Sequence, residues 1–178
     1  MEMNFCRRCG RPLKNTHDHV YQCTSGHVLY ANASPAVAVF FVSADEHQIL
    51  LTTRGQEPNL GMLDAPGGFV DGSETFEEAA ARELTEELGL SPQDYEPLSY
   101  LGSACDGYPY AGEAIPFVTN LYWSRLTTDT PLQPADDVAS VSWYDLSAVD
   151  FGKIHSEDIC IGIRSLQQMF LDAKAEKQ

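Results

Sequence analysis

In the stretch GGFVDGSETFEEAAARELTEELGL, residues 67–90, Glu83, Glu86 and Glu87 stand at i, i+3 and i+4. On a helix turning ~100° per residue they fall within roughly a quarter of the circumference. Three like charges that close repel one another and cost stability unless something neutralises them. Oxygen ligands gathered at one spot suit Mg²⁺ or Mn²⁺. Such a cation would do two things for a phosphoric anhydride: shield its negative charge and acidify an attacking water. The plainer reading of the same residues is an acidic helix face in solvent.

The neighbouring residues favour the metal. Thr75 followed by Glu78 is a capping box, and Gly89 is a stop, so the spacing predicts a helix between them. Phe76, Ala80, Leu84 and Leu88 recur every fourth residue and form its apolar stripe. Arg82 can fork onto a carboxylate such as Glu74 and hold the preceding loop against the helix. Pro66-Gly67-Gly68 lets the backbone approach a ligand closely, and a carbonyl there could complete a metal shell.

Residues 68–90 read Gly68-x5-Glu74-x7-Arg82-Glu83-Leu84-x-Glu86-Glu87-x-Gly89-Leu90. This resembles the Nudix box, G-x5-E-x7-R-E-U-x-E-E-x-G-U with U apolar, at every defined position. The resemblance implies a Nudix α/β/α sandwich with a mixed β-sheet, and hydrolysis of a nucleoside diphosphate linked to a second moiety. It implies that Glu83, Glu86 and Glu87, with the carbonyl of Gly67, hold the divalent metals, and that Glu74 and Arg82 form a structural pair. For the general base it leaves open a box glutamate, Glu113 on a later loop, or Asp137 six residues before Trp143, with Asp136 as its neighbour. It also implies a homodimer, by analogy alone. The substrate class it suggests is ADP-ribose or NAD(H). Sanitising of oxidised nucleoside triphosphates and a non-catalytic nucleotide sensor are the competing readings.

A second constellation lies near the N-terminus. Cys6-x2-Cys9-x13-Cys23-x3-His27 offers four ligands for a tetrahedral structural Zn²⁺, with His17 and His19 as substitutes for the last. A segment of ~30 residues cannot bury enough apolar area to fold alone, so a metal would supply the missing stability. A ribbon, then GHVLYANASPAV, then the box resembles the branch that includes NADH pyrophosphatases. Those carry SQPWPFPxS after the box. Here the region reads SACDGYPYAGEAIPF, with Ser103, Pro109 and Phe117 as loose echoes. In its middle, Tyr108 and Tyr110 could stack on a nucleobase.

These residues must be positioned by a fold. PAVAVFFVS (35–43) and HQILLTTR (47–54) read as strands, with a short strand near Met62–Leu63. PLSYLGSA (97–104), FVTNLYWSRL (117–126) and ASVSWYDL (139–146) read as further strands, with CDGYPYAGEAIP as a loop. Residues 161–177 carry a helical period through Ile163, Leu166, Met169 and Phe170. Phe40, Phe41, Phe69 and Trp143 are expected in the core or a pocket wall. The expected division is a zinc-ribbon segment at 1–33 and a hydrolase domain at 34–178.

The 178 residues carry a formal net charge of −15. Arg7, Arg8, Arg11 and Lys14 cluster beside the cysteines and would suit a nucleic-acid grip, but so acidic a chain argues against nucleic-acid or membrane partners. The five cysteines are odd in number and unevenly spread, which fits a reducing compartment and a metal better than disulfides. No secretory signal or span-length apolar run is read, so a cytoplasmic protein is expected.

Overall fold

The computed structural model describes residues 3–110, 112–127 and 131–172, with the side chains of Tyr110, Leu171 and Asp172 outside that description. The chain divides into two compact units. One comprises Met1–Ser34 and Gly107–Phe117, the other Pro35–Asp106 and Val118–Gln178.

The first unit is built on a three-stranded antiparallel sheet of β1 (Leu13–His17), β2 (Val20–Cys23) and β3 (Val28–Tyr30), in that order. Its buried apolar cluster is small: Cys6, Cys23 and Leu29, with Met3 and Leu13 packed against them.

Most of the larger sheet belongs to the second unit, with Ser34, Gly107–Tyr110 and Glu113–Phe117 of its strands counted in the first. Its strands are β4 (Ser34–Val42), β5 (Gln48–Arg54), β8 (Ser99–Tyr110), β9 (Glu113–Ser124) and β10 (Val138–Asp145), ordered β10-β5-β4-β9-β8. Two short strands join it: β6 (Leu63–Asp64) on β5 and β7 (Gly67–Phe69) on β4. It is a mixed sheet with a helix on each face. Alternation along β4 explains this. Val37, Val39 and Phe41 point to α1 (Phe76–Leu88), while Ala38, Phe40 and Val42 point to α2 (Glu157–Gln167). A strand buried on both faces reads as one continuous apolar run, and PAVAVFFV does so. Phe40 and Phe41 are therefore fully buried in the core, whereas Phe69 and Trp143, 42% and 39% exposed, lie outside it.

The residues expected to form a loop at CDGYPYAGEAIP are strand instead: β8 runs to Tyr110 and β9 begins at Glu113. Glycine and proline disfavour a strand locally, but cross-strand pairing in a long hairpin outweighs that propensity. The C-terminal helix begins earlier than its period suggests, and after Gln167 it loosens into a wider turn over Gln168–Asp172. Residues 173–177 of that expected helix lie outside the described residues. No helix among the described residues is long and apolar enough to cross a membrane.

Gly162 sets how closely α2 lies on the sheet, because a Cβ there would run into the Phe40 ring. Gly162→Val is expected to destabilise the protein by about 1–3 kcal/mol through overpacking, read as a shifted denaturation midpoint.

Candidate active site and metal centres

Helix α1 starts as its sequence dictates. The Thr75 side chain accepts from the Glu78 N–H, and the Glu78 carboxylate accepts from the Thr75 N–H. Gly89 ends the helix in the left-handed conformation at φ 69°. This fixes the rotation of the helix: Ala80, Leu84 and Leu88 are buried on the sheet, and Glu83 and Glu87 are buried beside them. Glu86 projects from the same side with half its side chain exposed.

Strand β7 passes under these carboxylates. The Gly67 N–H donates to Glu87 Oε2 at 3.0 Å. A Cβ on Gly68 would collide with the Glu83 carboxylate, and one on Gly67 would collide with the Val37 carbonyl. The paired glycines are thus required by close approach, of strand to strand at Gly67 and of strand to carboxylate at Gly68. Gly68→Ala is expected to displace Glu83 and lower kcat at least about tenfold with the fold retained, measurable by kinetics alongside circular dichroism.

Arg82 does more than pair with Glu74. Its Nε and Nη2 fork onto Glu74 at 3.1 and 2.7 Å, and Nη2 also donates to the Phe69 carbonyl at 3.1 Å. Nη1 donates to Glu83 at 2.8 Å and to Glu86 at 3.0 Å. One guanidinium therefore ties the Glu74 loop to two of the three box glutamates. Its bonds hold the Glu74 carboxyl below the usual carboxylate range.

Burial drives the remaining electrostatics. The Glu87 carboxyl is pushed up to about 9, chiefly by desolvation, with the charges of Asp137, Glu83 and Asp64 adding and the Gly67 N–H opposing. Burial raises Glu83 as well, opposed by Arg82. Buried acids in this number fit a cation: the donor set is all oxygen, and positive charge would relieve both desolvation and mutual repulsion.

Asp137, from the connection before β10, is close enough to act on both glutamates. Its backbone carbonyl accepts from the Gly55 N–H at 2.5 Å, and its carboxylate lies 3.9 Å from Arg54 Nη2. Glu113 and Tyr108 belong to the first unit. Glu113 is exposed and Tyr108 half-buried. Tyr110's side chain lies outside the described residues.

Three residues that the sequence did not single out complete the bank. Asp64 on β6 lies 2.9 Å from Arg54 Nη1 and 2.8 Å from His155 Nε2. Arg54 also donates through Nε to the Pro58 carbonyl at 2.9 Å. The one local signal for Asp64 was an acid three residues before Gly67. His155 is brought in from the connection to α2 by tertiary structure alone.

In the first unit, Cys6, Cys9, Cys23 and His27 converge so that their ligand atoms all lie within 4.8 Å of one another. Among the described residues no other set of three or more His, Cys, Asp or Glu does so. Cys9 and Cys23 Sγ are 3.7 Å apart, and Cys6 Sγ is 3.5 Å from His27 Nδ1. Tetrahedral zinc with ordinary Zn–S and Zn–N bonds has S···S edges of about 3.8 Å and S···N edges of about 3.5 Å. The set fits that ion, and a 3.7 Å separation is far too long for a disulfide. His17 and His19 are exposed and outside the set.

Against known families, the Nudix domain model matches residues 33–160. The chain is a Nudix protein. Among curated Nudix relatives, it is 37% identical over 109 residues to the NAD-capped RNA hydrolase NudC of Haemophilus influenzae (strain PittGG). That match covers 59% of this chain and 39% of the relative. It is 48% identical over 59 residues to the ADP-ribose pyrophosphatase of Methanocaldococcus jannaschii, covering 33% of this chain and 35% of that one. The chain thus spans less than half the length of the curated relatives it matches. A Nudix hydrolase structure from Nitrosomonas europaea superposes with a TM-score of 0.66 at 20% identity, covering 96% of this chain and 92% of that one. At that identity the likeness shows the Nudix fold.

Proposed function

We propose that this Nudix protein is a divalent-metal-dependent hydrolase. Its substrate is a nucleoside diphosphate derivative of the ADP-ribose or NAD(H) class, and it cleaves the diphosphate bridge to release a nucleoside monophosphate. The observation that carries this reading is a complete Nudix box whose buried Glu87 lies within the fields of Glu83, Asp64 and Asp137. The names of the relatives, an ADP-ribose pyrophosphatase and a hydrolase of NAD-capped RNA, support the substrate class.

Glu83, Glu86 and Glu87 are the residues that would hold Mg²⁺ or Mn²⁺, with the Gly67 carbonyl beside them. When bound, such an ion supplies charge neutralisation at the diphosphate and a more acidic water. The protein's own part is position. Arg82 orients Glu83 and Glu86, and the Gly67 N–H orients Glu87. Glu87, its carboxyl pushed up to about 9 by burial, would have to lose its proton to serve as a ligand. We assign the proton acceptor to Asp137, whose charge acts on both Glu83 and Glu87 and whose carbonyl and carboxylate face Gly55 and Arg54. Asp137→Asn is expected to lower kcat by about 10²–10⁴-fold with little change in KM, whereas Glu113→Gln should leave both near wild type. Steady-state kinetics on the two variants assigns the base.

Cys6, Cys9, Cys23 and His27 would hold a structural Zn²⁺. The test of the whole reading is a substrate panel of ADP-ribose, NADH and oxidised nucleoside triphosphates with Mg²⁺ in ¹⁸O water. Labelled monophosphate from the first two supports the proposal. Turnover of the triphosphates alone would make the protein a sanitising enzyme, and no turnover of any would make it a nucleotide sensor.

A further inference from the structure

The chain's net charge of −15 is unevenly spread. In the second unit, the described cations Arg54, Arg82, Arg125, Lys153 and Arg164 each lie in an ion pair with a carboxylate. Arg7, Arg8, Arg11 and Lys14 differ. They lie within eight consecutive residues, all are exposed, and none is in an ion pair among the described residues. Across the described first unit they face only Asp18 and Glu113 in opposition. Four unneutralised cations on an otherwise acidic chain make a local field that the whole-chain charge conceals.

The sheet beside them has a bare face. The register aligns Lys14 with Gln22 and Gln22 with Val28, and Val20 with Tyr30. Residues paired across strands share a face, and neighbours along a strand alternate. Leu29 and Cys23 are therefore turned inward onto Cys6, while Lys14, Gln22, Val28 and Tyr30 are turned outward. Tyr30 is 60% exposed, and its ring is supported by His19 at a centroid distance of 5.9 Å. Phe5, next to the Cys6–Cys9 knuckle, is 67% exposed. Lys14 and Tyr30 thus share one face of the small sheet, and Phe5 stands two residues before Arg7 in the chain; a single-stranded nucleic acid requires both kinds of group, charge for its phosphates and flat apolar surface for its unpaired bases.

We propose that the cysteine unit binds single-stranded nucleic acid, with phosphates on Arg7, Arg8, Arg11 and Lys14 and a base stacked on Tyr30. The expectation from bulk charge, that nucleic acid is a disfavoured partner, averages over the whole chain; the proposal concerns this one face. The inference is independent of the hydrolase reading, because binding needs neither the Nudix box nor turnover.

The test uses the full chain, zinc-loaded and free of magnesium, with a labelled unstructured RNA of about 16 nucleotides followed by fluorescence anisotropy over a salt series. The wild type is expected to bind at about 50 mM salt, with affinity falling as salt rises. Arg7→Gln/Arg8→Gln should weaken binding and make the log–log salt slope shallower by about 0.7 per lost phosphate contact. Tyr30→Ala should weaken binding at least about fivefold with the slope unchanged. One zinc per chain in each variant shows that the ribbon is intact. No binding by the wild type at low salt, or equal binding by the intact variants, overturns the proposal. Polyglutamate binding as tightly as the RNA overturns it too, in favour of a contact with an acidic protein.

Discussion

Replacing Glu87 by glutamine is expected to lower kcat by about 10³-fold and, at the same time, to stabilise the metal-free protein. The two effects share one cause. Glu87 is buried against the sheet, accepts a single hydrogen bond from Gly67, and lies within the fields of Glu83, Asp64 and Asp137. Glutamine keeps an acceptor for the Gly67 N–H and removes the charge. Losing one anionic ligand from a divalent site forfeits several kcal/mol of transition-state stabilisation, which is the stated fall in rate. In stability the sign is opposite. A carboxyl whose folded pKa is raised from an ordinary 4.5 to about 9 favours the folded state while protonated, fully so below about pH 4.5. That contribution disappears as pH rises through the window up to about 9, where ionising the group costs the folded state. Glutamine carries no such penalty. At pH 8 without metal the variant should be more stable than wild type by on the order of several kcal/mol, read as a higher melting temperature, and the two should converge near pH 4.5. Adding Mg²⁺ should raise the wild type far more than the variant. Equal kcat in the two proteins would remove Glu87 from the metal site. A lower melting point for the variant at pH 8 would show that its charge is already neutralised by the protein.

The second large effect is expected from the cysteine unit. Its buried cluster consists of Cys6, Cys23 and Leu29, too little to fold ~30 residues without a cross-link. If Zn²⁺ holds the four ligands, on the order of 10 kcal/mol of apparent binding energy is folding energy. Chelation, or Cys6→Ser, should then unfold this unit while the second unit, with its two apolar layers, stays folded. Trypsin reads the difference directly. The native unit should resist cleavage, and the zinc-stripped protein should be cut rapidly after Arg7, Arg8 and Lys14; Arg11 precedes Pro12 and is spared. One zinc per purified chain, lost in Cys6→Ser together with this protection, is the expected pattern. An unchanged digest after chelation would mean that the four side chains meet without needing a metal.

What could be read from the residues in order is what depends on neighbours in the chain. Thr75, Glu78 and Gly89 cap α1 as their types predict, and the fourfold apolar stripe sets which glutamates face inward. The Cys6–Cys9 spacing led to the ligand cluster, and the structure selects His27 over His17 and His19. What could not be read depends on contacts across the fold. Nothing local marks His155 as a partner of Asp64, or Arg54 as the link between Asp64 and Asp137. The extra branch of Arg82 onto Glu83 and Glu86 follows from helix rotation plus the path of β7, and a glycine pair carries no strand signal of its own. The joining of Gly107–Phe117 with Met1–Ser34 in one unit crosses some seventy residues of sequence and leaves no trace in the pattern of either segment.

The most direct measurement is a crystal structure with Mg²⁺ and the non-hydrolysable α,β-methylene analogue of ADP-ribose. The expected result is a cation within about 2.0–2.2 Å of carboxylate oxygens from Glu83, Glu86 or Glu87 and of a phosphonate oxygen of the analogue, with Asp137 facing the bridge. Density for the analogue at another place, with the three glutamates still held by Arg82 and Gly67 and no ion beside them, would contradict the hydrolase reading.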